Sequence, residues 1–496
     1  MSEETKVPSQ NHDAKGTPDK AADGAKQPTD ELVTTHHTMG DLSYTATTGR
    51  IVLREEVTEE EKYQGLKPKA EVSVTAYTLD GGDVTQRPVT FAFNGGPGSS
   101  SVWLHLGVLG PRRVDAGDVG NVTPPPFGLV DNPDTLLRVS DLVFIDPVST
   151  GYSRPAEGEK ADPYHGFQGD LDSVAEVIRL WATRNQRWMS PKFVIGESYG
   201  GTRAAALSDH LQNKYGMFLN GAMLIAPALN LETLYFVAQD STLPDPVFLP
   251  VYAATAHYHG LHPDRTVDEV VAEAREFTDE YFTVLNKGAR ATEEERSAAI
   301  TKIASLAGVS EDYVDRAGLR LEHTRFYAEL LRHKRLVTGR LDTRFTGPAD
   351  NYIYEQMPTD PFFAATMPAF TAAFNHYIRA ELEYENDSNY RILTGEVHPW
   401  SYKEFEGKAV DVAPMLANAM RLNPFLKVHV AAGRYDGGCP TESIHYALDQ
   451  MRITPELREN IEFKEYPAGH MMYLHDESRA QQLADLADFV RRASNR

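Results

Sequence analysis

The chain has 496 residues, 41% of them hydrophobic and 24% charged, which suits one large enzyme core with an insertion, or two to three domains. A formal net charge of −22 would repel a phosphate backbone or an anionic lipid surface, so nucleic-acid partners and membrane insertion are not expected. The single cysteine, Cys439, leaves no intrachain disulfide, and the N-terminal residues hold no apolar run; both features point to a cytoplasmic protein.

In chain order, residues 1–38 are rich in Lys, Asp, Pro, Thr and Gly and read as a disordered tail ending in the pair His36-His37. Residues 39–228 form the first part of a core. Short apolar runs at Val72–Leu79, Val89–Phe93, Asp141–Phe144, Phe193–Ile195 and Ala222–Ala226 predict strands, and Leu171–Trp181 and Thr202–Leu211 predict helices between them. Such alternation implies a mostly parallel sheet flanked by helices. Residues 229–415 change character and read as an inserted helical lid. Val267, Val270, Val271, Ala274, Phe277 and Tyr281 share one helical face, Thr266 with Glu269 and Thr292 with Glu295 fit capping boxes, Gly308 is a stop, and Glu322–Arg335 predicts a further helix. Residues 416–496 return to the first pattern, with strands at Val428–Ala432 and Ile461–Tyr466 and helices at Glu442–Met451 and Arg479–Ala493.

The chemistry centres on Gly196-Glu197-Ser198-Tyr199-Gly200. Gly-x-Ser-x-Gly alone is a weak signal, but here a strand precedes it and a helix follows, as a nucleophile elbow on an α/β-hydrolase fold requires. A serine hydroxyl needs a base, and the base needs an orienting acid. Asp436 directly follows one late strand and His470 follows the next, with room for one helix and one strand between them. The order Ser198, Asp436, His470 therefore predicts a triad for acyl transfer, which needs no metal or organic cofactor. The oxyanion donors are expected on the Tyr199 amide and in the loop Asn94-Gly95-Gly96-Pro97-Gly98.

Taken together, Asn94-Gly-Gly-Pro-Gly-Ser-Ser, Asp146-Pro-Val-Ser-Thr-Gly-Tyr-Ser153, Gly196-Glu-Ser-Tyr-Gly-Gly and Gly469-His470-Met471 resemble the serine carboxypeptidase family. The resemblance implies a catalytic Ser198–Asp436–His470 triad, an oxyanion hole of the Gly96 and Tyr199 amides, and a terminal-carboxylate site of Asn94, Gly95 and Glu197. It departs from the family at Val108-Leu109-Gly110-Pro111, where the family usually carries Glu in place of Val108, and at Ser99, where the family has a Cys in the glycine loop. Two carboxyl groups can share a site only if one holds a proton. Without the second Glu, Glu197 is expected to be less easily protonated unless burial compensates. Cys439 matches a position where some members carry a free thiol, and it reads equally well as a small buried residue.

The expected function is a serine carboxypeptidase acting on a peptide or small acyl substrate. Val108 keeps an esterase, acyltransferase or aminopeptidase of the same fold as the alternative. A catalytically dead binding protein on this fold is a further reading that the complete triad disfavours.

Overall fold

A computed structural model describes residues 27–235, 241–349, 351 and 353–495. Its centre is a ten-stranded sheet. Three long strands lead: β1 (Glu31–Met39), β2 (Leu42–Glu59) and β3 (Lys62–Leu79). Then come β4 (Val89–Phe93), β5 (Asp141–Ile145), β6 (Lys192–Glu197), β7 (Gly221–Ile225), β8 (Lys427–Gly433) and β9 (Ile461–Tyr466). The order across the sheet is β1-β2-β3-β5-β4-β6-β7-β8-β9, with the short strand Arg154–Pro155 pairing β3. Strands β1 to β3 are antiparallel and β3 also pairs β5 antiparallel. From β5 to β9 every neighbouring pair is parallel.

Strand β1 corrects the expected tail, because residues 31–38 lie in the sheet. Residues 1–26 of that tail lie outside the described residues. Pairing of Glu31 with Arg50 through Met39 with Leu42 satisfies the backbone of the segment, so its polar composition did not prevent order. His37 and His36 hydrogen-bond Thr35 and Thr45.

Both faces of the parallel region are covered, which explains its continuous apolar runs. Val194, Leu224 and Val430 face a core shared with Leu171, Val174 and Ile178 of α1 (Phe167–Arg184) and Leu207 of α2 (Tyr199–Tyr215). Their strand neighbours Phe193, Ile195, Met223 and Ile225 face the opposite core. That alternation is the two-residue period of a strand.

Between β7 and β8 lie α3 (Pro244–Tyr258), α4 (Val267–Lys287), α5 (Glu293–Ala307), α6 (Glu311–Arg316), α7 (His323–Glu329), α8 (Pro361–Ala380) and α9 (Ala413–Leu422). Thr266–Glu269 and Thr292–Glu295 form the two capping boxes, and Gly308 ends α5 with a φ of 68°. The helix expected over Glu322–Arg335 stops at Glu329 and gives way to a tight turn that closes on Arg335 at φ 61°. The segment is woven into both cores: Phe248, Phe277 and Ile303 join the first, and Phe370, Phe374 and Tyr377 join the second. After β8 and β9 come α10 (Thr441–Asp449) and α11 (Asp476–Ser494), whose Leu486, Phe489 and Val490 also enter the second core.

Candidate active site

Register across the parallel strands aligns Phe93 with Gly196, Glu197 with Ile225, Ile225 with Ala431 and Gly433 with Tyr466. The carboxyl ends of β4, β6, β8 and β9 therefore meet on one sheet edge, the place where open α/β sheets hold their ligands. The residues that follow these ends are Asn94, Ser198, Asp436 and His470.

Ser198 sits between β6 and α2 at φ 63° and ψ −127°, a conformation costly for a non-glycine residue. Small neighbours permit the turn, since a Cβ on Gly196 would lie 1.9 Å from the Gly200 carbonyl oxygen. The Ser198 amide donates to the Ile225 carbonyl at 2.9 Å, fixing the turn to β7. Tyr199 opens α2, so its amide is one of those a helix leaves without an internal partner.

His470 is buried and its Nδ1 lies 2.7 Å from Asp436 Oδ2. With Nδ1–H donating to the carboxylate, Nε2 keeps the lone pair needed by a base. The other Asp436 oxygen accepts from the amides of Gly438 (2.8 Å) and Cys439 (2.9 Å). Burial alone would lower the His470 pKa, but the Asp436 carboxylate and the charge of Glu197 outweigh it and raise it above 6.5. The His470 amide donates to the Leu341 carbonyl in the inserted segment at 2.6 Å, so the imidazole is held from both sides.

Glu197 is 2% exposed and its Oε1 accepts from Asn94 Nδ2 at 2.8 Å. Burial pushes its carboxyl up to about 7, opposed by His470, Tyr473 and Asn94. The exception allowed for in the sequence therefore applies to Glu197, since burial supplies the upward shift without a second Glu. Val108 itself is buried in the second core.

Three supports were not apparent from sequence. Arg203 on α2 donates to the Asn94 carbonyl at 2.7 Å and forks onto both oxygens of buried Asp170 on α1. Asp146, which opens the Asp-Pro-Val-Ser-Thr-Gly-Tyr-Ser motif, accepts from the Ser101 amide and hydroxyl, both at 2.8 Å, and so braces the glycine loop. Trp400 Nε1, from the inserted segment, donates to the Tyr199 hydroxyl at 3.0 Å.

These groups surround a cavity of about 770 Å³. Asn94, Gly95, Gly96, Glu197, Ser198, Tyr199, Cys439 and His470 all line it; Asp436 stands behind His470. Cys439 is buried and its thiol pKa is pushed up, first by burial. The rest of the wall is largely apolar, with Trp103, Leu231, Leu234, Phe363, Trp400 and Met471, and with Arg340 as a cation. Among the described residues no helix is long and apolar enough to cross a membrane.

The model of the family described as serine carboxypeptidase matches residues 77–472. The chain belongs to the serine carboxypeptidase family. Among its relatives in Arabidopsis thaliana, serine carboxypeptidase-like 51 is 31% identical over 147 residues, covering 28% of this chain and 29% of the relative. Serine carboxypeptidase-like 36 is 29% identical over 163 residues, covering 31% of each. The chain thus aligns with less than a third of the length of these curated relatives. In fold it resembles the prohormone-processing carboxypeptidase Kex1 from Saccharomyces cerevisiae, with a TM-score of 0.53, 16% identity and 91% of each chain covered. The fold is that of the α/β-hydrolases.

Family membership also corrects the cytoplasmic expectation. That reading rested on N-terminal residues without an apolar run and on a single cysteine, whereas members of this family related to the chain are secreted, vacuolar or Golgi enzymes.

Proposed function

We propose that this chain is a serine carboxypeptidase that releases the C-terminal residue of a peptide. One observation carries the reading: Glu197, immediately before Ser198, is a buried carboxyl held by Asn94 and pushed up to about 7. A neutral carboxyl beside an amide donor is what a substrate's terminal carboxylate needs in order to dock. The Asn94 side chain and the Gly95 amide complete that docking site.

In the reaction, His470 Nε2 takes the proton of Ser198 Oγ as the oxygen adds to the scissile carbonyl. The oxyanion is received by the Gly96 and Tyr199 amides. His470 then passes its proton to the departing amine, the C–N bond breaks, and an acyl-Ser198 ester remains. Water, deprotonated by His470, releases the acyl group and restores the serine. Asp436 orients the imidazole and balances its transient charge. The inserted segment acts as a lid whose apolar wall favours apolar side chains beside the scissile bond.

Val108 favours a second reading, in which the same triad cleaves or transfers an ester without needing a terminal carboxylate. Hydrolysis of one N-blocked dipeptide, as free acid and as amide, from pH 4 to 9 separates the two, with Ser198→Ala as control. A strong preference for the free acid is expected. Equal or better cleavage of the amide sinks the carboxypeptidase reading.

A further inference from the structure

Glu197 leaves one oxygen unanswered. Its Oε1 takes the Asn94 amide, while Oε2 is buried without a hydrogen-bond partner. The Tyr473 hydroxyl is buried with no other partner and faces Glu197, acting on the carboxyl as a hydrogen-bond donor that lowers its pKa while its own is raised. A buried acceptor oxygen and a buried hydroxyl that face one another with no other partner have only each other to offset their desolvation.

The phenol ring reaches this place because residue 107 is glycine. A Cβ there would lie 2.4 Å from Tyr473 Cε2 and 2.6 Å from Cδ2, so any side chain would expel the ring. The next residue, Val108, brings no acid. The charged and titratable groups acting on Glu197 are His470 and Asp436, from the turns after β9 and β8, Cys439 just before α10, and Tyr473 in the turn Met472–Leu474. Asp436 is already engaged by His470 and two amides.

We propose that Tyr473 is the positioning residue for Glu197, its hydroxyl serving as the partner that a second carboxyl group would otherwise supply. The proposal deepens the carboxypeptidase reading and rests on it for the identity of the substrate. The difference between the two kinds of partner is chemical. A second carboxyl shares a proton with the first and titrates with it. A phenol whose pKa burial pushes well above 10 remains a donor throughout the working range. It turns a two-carboxyl site into a site with one titrating group, oriented by a fixed donor. Because the hydroxyl donates best to ionised Glu197, it also sets the pH at which the carboxyl gives up its proton.

Tyr473→Phe keeps the ring over Gly107 and removes the hydroxyl alone. Two readouts decide the matter. The first is kcat/KM from pH 4 to 9 on an N-blocked dipeptide as free acid and as methyl ester. The second is the infrared titration of the Glu197 carboxyl band, assigned by its loss in Glu197→Gln. In Tyr473→Phe the band is expected to titrate at higher pH. KM for the free acid should rise roughly fivefold at pH 4 to 5, where Glu197 is protonated with or without the hydroxyl and only the lost orientation counts, the scale of one hydrogen bond to a neutral group, with ester cleavage unchanged. Adding Tyr473→Phe to Glu197→Gln should change nothing further. An unmoved carboxyl titration, or equal losses on acid and ester, overturns the proposal. A wild-type enzyme without preference for the free acid overturns the carboxypeptidase reading instead, and the carboxyl titration still decides the pairing.

Discussion

The proposed acid–base side of the cavity and the proposed carboxylate-docking side are each built on one buried carboxyl group. Asp436 is 0% exposed and Glu197 2%, so burial does not distinguish them. Donor count does. Three donors converge on Asp436, from His470, Gly438 and Cys439, which is the surrounding of an anion. Fewer donors reach Glu197, the Asn94 amide and the facing Tyr473 hydroxyl, and burial raises its pKa to about 7. Two like side chains within one site thus acquire different surroundings from their neighbours, one ringed by donors and one held mainly by burial.

The largest expected effect breaks the charged side. Asp436→Asn removes the acceptor that fixes the His470 tautomer and should lower kcat roughly 10⁴-fold on acid and ester substrates alike. A loss confined to the free acid would contradict the division of labour.

Glu197→Gln tests the neutral side, through stability and activity together. The folded carboxyl holds its proton up to about 7, against an ordinary 4.5, so stability is lost as pH rises from 4.5 through 7. That shift corresponds to on the order of 3 kcal/mol. Glutamine abolishes this loss, so the variant should unfold later than wild type at pH 8 and alike at pH 4. Its amide donors do not titrate, so the alkaline fall in free-acid hydrolysis should vanish as well. Equal thermal midpoint shifts at both pH values would refute the assignment.

Asn94→Ala sharpens the comparison at smaller scale. Loss of the hydrogen bond to Glu197 should move the free-acid pH profile upward and reduce its kcat/KM about tenfold, the weight of one hydrogen bond to a charged group. Steady-state kinetics on acid and ester read this directly.

Much of the site was legible because its order follows strand ends. A run of apolar residues, a glycine-flanked serine and an amphipathic stretch are local signals, and Asp436 and His470 each follow such a run. Tyr473 was not legible, since its role depends on the space at Gly107, which is distant in sequence. Helices α3 and α8 were missed for another reason. Each carries an internal proline, Pro250 and Pro368, and is apolar on more than one side, which blurs the helical period. The helix expected to reach Arg335 ends at Glu329, and Arg335, a non-glycine residue, takes the left-handed conformation that closes the separate turn after it.

The insertion between β7 and β8 has a consequence for how the chain folds. Until β8 arrives, β7 is an open edge with unpaired amides and carbonyls, and its five residues are all buried and apolar or glycine in the finished sheet. All the helices of the insertion must be made before that edge can close. Contacts closed late and across a long stretch of chain slow folding, so this pairing is the late step of sheet assembly. Asp436 and His470 lie beyond the same closure, so the half-built sheet carries its nucleophile without the means to fire it.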